Sequence, residues 1–147
     1  MEQKYEALTL KNQLCFPIYL CSKEIIRKYT PLLSKLDLTY TQYIVMMYFW
    51  EKHKSNAKEI SETLLLDPST LTPLLKKLEA KNYVQIARST TDGRNLEIGI
   101  TEKGLDLRDQ ALTVPGEVGK CIDLSKEEAE TLYKLMYKIL LNTQKED

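Results

Sequence analysis

The feature that most constrains this 147-residue chain is an amphipathic helix followed directly by a short hairpin. The segment Ser69–Glu79 places leucines at i, i+3, i+4 and i+7, a spacing that predicts one buried helical stripe. These leucines are Leu71, Leu74, Leu75 and Leu78. Two short runs with alternating apolar residues, Tyr83–Arg88 and Leu96–Ile100, then flank an Asp92-Gly93 turn. This pattern predicts a β-hairpin with a charged tip.

The remaining chain predicts helices that begin at capping residues. The expected caps are Thr39, Asn56, Thr101 and Ser125, with Ser69 or Thr70 for the leucine-striped helix. A first helix is expected from about residue 12 to about Leu36, bent or broken at Pro31. Another should end before Pro115-Gly116. The fold class is therefore mainly α with one short β-hairpin, in a single domain spanning residues 1–147.

Composition excludes several classes of protein. Twenty-one basic and 21 acidic residues cancel, so nucleic-acid binding requires a local basic patch. No apolar run approaches the roughly 20 residues that cross a bilayer, and the polar N-terminus is unlike a secretory signal, so a cytoplasmic protein is expected. Three cysteines and one histidine cannot supply a convincing zinc site, and no cofactor is expected.

Two short helices followed by a hairpin are typical of a winged helix-turn-helix, in which the second helix enters the major groove. The predicted DNA contacts lie opposite the leucine stripe and along the hairpin. They are Ser69, Thr70, Thr72, Lys76, Lys77, Arg88 and Arg94. The two lysines by themselves are equally typical of a solvated helix face. Their combination with the helix–helix–hairpin order favours DNA binding.

The segments D-P-S-T-L-T-P-L-L-K-K-L-E and R-S-T-T-D-G-R-N-L-E-I-G-I-T-E-K-G resemble the recognition helix and wing of the MarR family. The resemblance implies that Asp92 orients the wing and that Arg94 enters the minor groove. It also implies a homodimer on a pseudo-palindromic DNA operator. The DNA-binding lobe would span about 39–101, between dimerisation helices at about 8–36 and 102–145.

Cys15 is the candidate redox residue. It is expected in the first turn of a helix, where free N–H groups and the helix dipole stabilise a thiolate. Tyr19 and Tyr29 should project within about 40° of it around the helix. On spacing alone, packing in a dimer core is the more common role for such tyrosines. Cys21 lies about 120° away and is expected to be a small buried hydrophobe.

The segment Leu10–Phe16, L-K-N-Q-L-C-F, with Tyr19, Tyr29 and Tyr40 downstream, resembles the organic-hydroperoxide-sensing branch of the family. The resemblance implies that Cys15 is the peroxidatic thiol and that Tyr29 and Tyr40 of the partner subunit hydrogen-bond it. Some members of this branch carry a resolving cysteine between the last two helices, where Cys121 falls. Others rely on a small thiol, and both possibilities stay open.

The predicted function is therefore a transcriptional repressor, not an enzyme, that releases its operator when an organic hydroperoxide oxidises Cys15. One alternative is a regulator controlled by a small phenolic ligand in the dimer cleft. A second is a thiol peroxidase, although no P-x-x-x-T-x-x-C motif is present. A third is a protein-interaction module, which would lack salt-dependent DNA affinity.

Overall fold

The computed structural model describes residues 3–91, 93 and 95–145. The chain divides into two compact units with the boundary between Val114 and Pro115. In the first unit the helices are α1 (Cys15–Ser34), α2 (Tyr40–Lys52), α3 (Ala57–Leu64), α4 (Pro68–Ala80) and α5 (Glu102–Ala111). The strands are β1 (Lys54–Ser55), β2 (Val84–Arg88) and β3 (Leu96–Ile100). Two 3₁₀ helices, Gln3–Leu8 and Leu10–Asn12, precede α1. Helix α6 (Val114–Ile122) starts at the boundary, and α7 (Lys126–Thr143) lies in the second unit.

The predicted caps at the starts of α2, α3, α5 and α7 are confirmed. The Thr39 hydroxyl accepts the Gln42 N–H at 3.3 Å, and the Gln42 side-chain oxygen accepts the Thr39 N–H at 3.1 Å. Ser125 and Glu128 form the same reciprocal box at the start of α7. Asn56 and Thr101 each accept a backbone N–H of their own helix. These caps satisfy amides that the first helical turn leaves without partners.

Helix α4 begins earlier than predicted. Asp67 is its N-cap and Pro68 its first residue, so the expectation of a cap at Ser69 or Thr70 was wrong. Proline is well suited to the first helical position because its fixed φ matches the helix and its missing N–H would have no partner there. Ser69 and Thr70 consequently lie within the first turn. Pro73 lies in the helix interior and not in the first turn as expected.

Prolines also interrupt the helices less than predicted. Helix α1 contains Pro31 and continues to Ser34, so Pro31 does not break it. Pro17 falls at the third position of α1, where a backbone N–H would have no acceptor within the helix, so the N–H that proline lacks is not missed. The Pro115-Gly116 pair was expected to follow the end of a helix. Helix α5 does end before the pair, at Ala111, but Pro115 and Gly116 lie in the first turn of a further helix, α6, where proline is tolerated for the same reason.

The sheet has three antiparallel strands in the order β1-β3-β2, not the two of the predicted hairpin. Strand β2 pairs with β3 from Val84↔Ile100 to Arg88↔Leu96. Strand β1, which lies in a polar stretch after α2 for which the sequence predicts no strand, pairs Ser55 with Ile98 on the other edge of β3. A two-residue strand has no periodicity to detect, and it forms because the edge of β3 offers unpaired backbone groups.

The leucine stripe of α4 is buried as predicted, and it packs in the core of the first unit. Fully buried side chains of α2, α3 and β3 meet it there, including Met46, Phe49, Ile60 and Ile98. Leu33 brings the end of α1 into the same core. The core therefore holds α4 rigidly from one side and leaves its opposite face to solvent.

Helix α7 has no buried residue, although it carries a continuous set of large apolar side chains. The exposed apolar residues of its middle and end are Leu132, Tyr133, Leu135, Met136, Tyr137, Ile139, Leu140 and Leu141. Within the described part of the chain, no helix combines the length and hydropathy that crossing a membrane requires.

Candidate nucleic-acid interface and thiol site

The exposed face of α4 carries every residue predicted for it. Ser69, Thr70, Thr72, Lys76 and Lys77 are all exposed, opposite the buried leucines. Three hydroxyls thus lie in or near the first turn of α4, and two ammonium groups follow about two turns later. Hydroxyls and lysines in this arrangement can donate to phosphates and base edges.

The turn between α3 and α4 is fixed by local hydrogen bonds. Leu65 ends α3 in a left-handed conformation, with φ of 52°, and its N–H donates to the Ser61 carbonyl. The Ser61 hydroxyl donates to the Leu66 carbonyl. These bonds close the short connection that orients the two helices against each other, as a helix-turn-helix requires.

Three hydrogen-bonded side chains, together called the polar chain, anchor α3 at its N-terminal end. The sequence did not predict them. The Tyr48 and Ser55 hydroxyls are 2.7 Å apart, and the Ser55 hydroxyl donates to the Glu59 carboxylate at 2.8 Å. The Tyr48 hydroxyl is therefore the donor to Ser55, since the one proton of Ser55 goes to Glu59. This chain joins α2, β1 and the first turn of α3. Ser55 is buried, Tyr48 is half-buried and Glu59 is exposed, so the bonds are only partly shielded from water.

The hairpin is tied to α4 by one carboxylate. The Glu79 side chain accepts the Ile86 N–H of β2 at 3.1 Å. Further along β2, the exposed Arg88 donates to the Gly93 carbonyl at 3.2 Å, so its guanidinium lies at the hairpin tip. Asp92 and Arg94, the other two wing residues predicted to serve DNA binding, lie outside the described residues.

Cys15 is the first residue of α1, in agreement with the expected position at a helix N-terminus. Its side chain is a free, exposed thiol. The preceding N-cap, Leu14, supplies no side-chain hydrogen bond to the first turn. Backbone N–H groups there are consequently available to an anion, and the helix dipole favours negative charge at this end.

The other two cysteines are exposed as well. The expectation that Cys21 is buried was therefore wrong, because α1 presents this part of its surface to solvent in the single chain. Cys121 is the penultimate residue of α6 and was expected between helices. The structure describes three accessible thiols, of which only Cys15 lies at a helix N-terminus.

The predicted tyrosines separate into two groups. Tyr19 is exposed one turn after Cys15, with the Lys23 ammonium 5.8 Å from its ring centre. Tyr29 packs instead against Tyr40, with ring centres 4.9 Å apart. Along a straight α1, the 14 residue steps from Cys15 to Tyr29 correspond to a rise of roughly 21 Å. Tyr29 and Tyr40 therefore cannot reach Cys15 of their own chain.

Tyr43 completes the aromatic cluster, with its ring centre 5.7 Å from that of Tyr29. Burial, and then the neighbouring Tyr40, raise the pKa of the Tyr29 hydroxyl above its ordinary value of 10.0. Burial likewise raises the pKa of Tyr43. Both phenols stay protonated at neutral pH, so they are hydrogen-bond donors. The Tyr29 and Tyr40 hydroxyls have no hydrogen-bond partner in the part of the chain that the structure describes.

The helix-turn-helix, the wing and the exposed apolar surface of α7 define a winged-helix transcriptional regulator. The family model of the transcriptional regulators SarA/Rot matches residues 27–110. The chain belongs to this family, which is MarR-like, and the predicted resemblance is confirmed.

Individual relatives agree with this assignment. The chain is 43% identical to the HTH-type transcriptional regulator SarZ of Staphylococcus haemolyticus over 90% of both chains. It is 40% identical to the organic hydroperoxide resistance transcriptional regulator of Bacillus subtilis, over 92% of this chain and 90% of the relative.

Among solved structures, the fold is similar to that of AbfR of Staphylococcus epidermidis. Reduced AbfR bound to DNA superposes with a TM-score of 0.75 at 31% identity, covering 96% of this chain and 99% of AbfR. Overoxidised AbfR bound to DNA gives a TM-score of 0.76 at 30% identity over the same shares. A disulfide-formed AbfR gives 0.63 at 31% identity, over 93% of this chain and 96% of AbfR.

Proposed function

We propose that this protein is a DNA-binding repressor that organic hydroperoxides inactivate by oxidising Cys15. The observation that carries the proposal is the exposed Cys15 thiol at the uncapped N-terminus of α1. Its relatives point the same way, because one is named as an organic hydroperoxide resistance regulator. AbfR has been solved in reduced, overoxidised and disulfide-formed states.

DNA binding is proposed for the exposed face of α4. The helix enters the major groove, with Ser69, Thr70 and Thr72 toward the DNA at its N-terminal end and the two lysines on the backbone. Arg88 and Arg94 serve the adjacent minor groove, and Asp92 orients the wing. The protein is neutral overall, so this local patch supplies the attraction to phosphate and makes the affinity salt-dependent.

A homodimer is proposed as the functional unit. The α7 side chains form an exposed apolar surface that a second copy would bury, and α1 exposes Tyr19, Leu20 and Ile26. Two-fold symmetry would place the two α4 helices on half-sites about one turn, or roughly 10 bp, apart. The operator is therefore expected to be pseudo-palindromic.

The dimer also explains the distance between Cys15 and the aromatic cluster. Tyr29 and Tyr40 cannot reach Cys15 in their own chain, but their unpaired hydroxyls can donate to Cys15 of the partner subunit. Phenol donors and the free N–H groups of α1 together stabilise the thiolate, while Tyr19 and Phe16 provide apolar surface for an alkyl hydroperoxide.

The oxidation transfers one oxygen. The Cys15 thiolate attacks the terminal oxygen of the hydroperoxide, an S–O bond forms and the O–O bond breaks. Sulfur becomes a sulfenic acid, and the departing alkoxide takes up a proton to give the alcohol. Cys121 of the partner subunit then attacks the sulfenic sulfur, which forms a disulfide and releases the hydroxyl as water. The bond displaces the dimerising helices and draws the two α4 helices out of register with the operator.

The test uses fluorescence anisotropy of a duplex enriched from a random DNA library by the reduced protein. Cumene hydroperoxide is expected to release the wild-type protein, and dithiothreitol to restore binding. Cys15→Ser should bind the same duplex and ignore the peroxide. Cys21→Ser is the matched control, because Cys21 is exposed on the same helix, and it should respond like wild type.

Several outcomes would contradict the proposal. No enriched duplex would exclude sequence-specific DNA binding. Release of Cys15→Ser by peroxide would remove Cys15 as the switch, whereas a wild-type complex that peroxide leaves intact but a phenolic compound dissociates would indicate a ligand-controlled regulator. Sustained peroxide turnover with a thiol reductant would indicate a thiol peroxidase.

A further inference from the structure

One lysine outside the proposed DNA-binding set joins the sensing helix to the recognition helix. Lys81 is the C-cap of α4. Its ammonium donates to the Asp37 carbonyl, which lies just beyond the end of α1, and to the Gln42 side-chain oxygen of α2 at 3.1 Å. The Asp37 carboxylate is a third neighbour, at 3.6 Å. A single side chain at the C-terminal end of α4 thus contacts both the corner after α1 and the first turn of α2.

The acceptor on α2 is held in place independently of Lys81. Gln42 is only 4% exposed, and its side-chain oxygen also accepts the Thr39 N–H in the capping box. Two donors therefore converge on one buried oxygen, which leaves that oxygen little freedom to follow a moving partner. The Lys81 carbonyl is bound in turn by the Lys103 ammonium at 3.1 Å, so the α4 end of the contact is also fixed.

The Asp37 carbonyl, the Lys81 acceptor just after α1, is the group through which a motion of α1 reaches Lys81. Asp37 has a φ of 54°, and its N–H donates to Ser34, the last residue of α1. Leu33, Leu36 and Leu38 anchor this corner in the core on both sides of Asp37. Helix α1 runs without a break from Cys15 to this corner, so a shift of α1 that reaches its C-terminal end also moves the carbonyl that Lys81 binds.

We propose that Lys81 is the positioning residue that couples a displacement of α1 to the orientation of α4. In the reduced protein its three oxygen neighbours hold the C-terminal end of α4 at one angle to α1. When the Asp37 corner moves, the Lys81 ammonium can no longer stay within hydrogen-bond distance of both the Asp37 carbonyl and the fixed Gln42 oxygen. The C-terminal end of α4 then changes its orientation. The inference rests on the proposed redox function, because it concerns how oxidation at Cys15 reaches the DNA.

A purely structural role makes a different prediction from coupling. If Lys81 only stabilised the fold, its loss would lower the melting temperature and weaken operator binding equally in both redox states. Coupling is instead a ratio, namely the operator Kd of the oxidised protein divided by that of the reduced protein. Any direct effect of the lost charge on DNA affinity cancels in this ratio.

The experiment measures the ratio for wild type and Lys81→Met at low salt, where both redox states bind measurably. The expected result is a fall of at least about threefold, within the range found for residues that modulate coupling. Lys35→Met is the matched control, since it removes an exposed lysine of the same corner whose ammonium bonds neither Asp37 nor Gln42, and its ratio should equal that of wild type. Lys81→Gln gives the same readout if the methionine variant does not fold.

The outcomes separate this inference from the proposed function. A wild-type protein whose operator affinity is unchanged by peroxide overturns both. A normal wild-type response together with an unchanged ratio in the Lys81 variants overturns the coupling alone. A ratio lowered equally by Lys35→Met also overturns it, because the effect would then not depend on the contacts of Lys81.

Discussion

At the scale of single residues, three exposed thiols differ in their surroundings. Cys15 lies at a free helix N-terminus, Cys21 lies well inside α1, and Cys121 lies near the end of α6, where the dipole opposes a thiolate. This contrast, and not exposure alone, is why Cys15 is the proposed sensor.

The position of Cys15 was predictable because a helix start depends on residues close in sequence. The pairing of Tyr29 with Tyr40 was not predictable from spacing, since it depends on how α1 packs on α2. Only the family resemblance indicated that Tyr29 and Tyr40 act together. Tyr43 was missed altogether, although it lies three residues after Tyr40 and thus on the same face of α2.

Replacing Tyr29 with phenylalanine is expected to slow the oxidation of Cys15 by about tenfold. The substitution keeps the ring in its aromatic cluster but removes one donor to the thiolate, and a hydrogen bond to a charged group contributes about 1.5–3 kcal/mol. The measurement is the rate at which cumene hydroperoxide consumes the Cys15 thiol, followed by alkylation and mass spectrometry. Tyr5→Phe, in an exposed residue outside the cluster, is the control. Equal rates for all three proteins would remove Tyr29 from the thiol site.

At the scale of helices and strands, the sequence predicted most helix caps correctly, because caps depend on neighbouring residues. It missed one strand, because strand pairing depends on residues far apart in the sequence. Two predicted capping boxes formed because each needs only two residues three positions apart. Strand β1 escaped prediction because it exists through pairing with β3, 43 residues away at Ser55↔Ile98. The start of α4 was misplaced because Pro68 occupies its first position, and α6 was not predicted because Pro115-Gly116 was interpreted only as the end of a helix.

The β1 strand matters for DNA binding through Ser55. Its hydroxyl connects Tyr48 of α2 with Glu59 of α3, and α3 in turn supports α4. The first unit therefore holds its recognition helix through polar contacts at the edges of the helix-turn-helix as well as through the leucine core. Polar contacts of this kind leave no pattern in the sequence.

Ser55→Ala is expected to lower the free energy of unfolding by about 0.5–1.5 kcal/mol, because it removes the hydroxyl that bonds the half-buried Tyr48 and the exposed Glu59 carboxylate, and both partners can then bond to water. Operator affinity of the reduced protein should fall as well, since α3 loses an anchor. Urea denaturation and anisotropy measure the two effects. Ser22→Ala, on the exposed surface of α1, should change stability by less than about 0.5 kcal/mol. If Ser55→Ala matched this control, the polar chain would have no role in stability.

At the scale of the whole molecule, one chain is insufficient for the proposed function. Its thiol and its phenol donors are too far apart along α1, and α7 exposes an apolar surface of the kind that proteins bury against partners. A symmetric dimer satisfies both requirements, and it supplies the second α4 that a palindromic operator needs. The sequence indicated the dimer only through the family resemblance, because apolar positions in a helix do not reveal whether the core or a partner covers them.

The central claim is that the redox state of Cys15 sets the affinity for DNA. The most direct measurement titrates the protein–operator complex with cumene hydroperoxide and follows DNA release by anisotropy. In the same samples, alkylation and mass spectrometry give the fraction of Cys15 that remains a thiol. DNA release and Cys15 oxidation are expected to rise together, and dithiothreitol is expected to reverse both. Release while Cys15 is still reduced, or full oxidation of Cys15 without release, would contradict the claim.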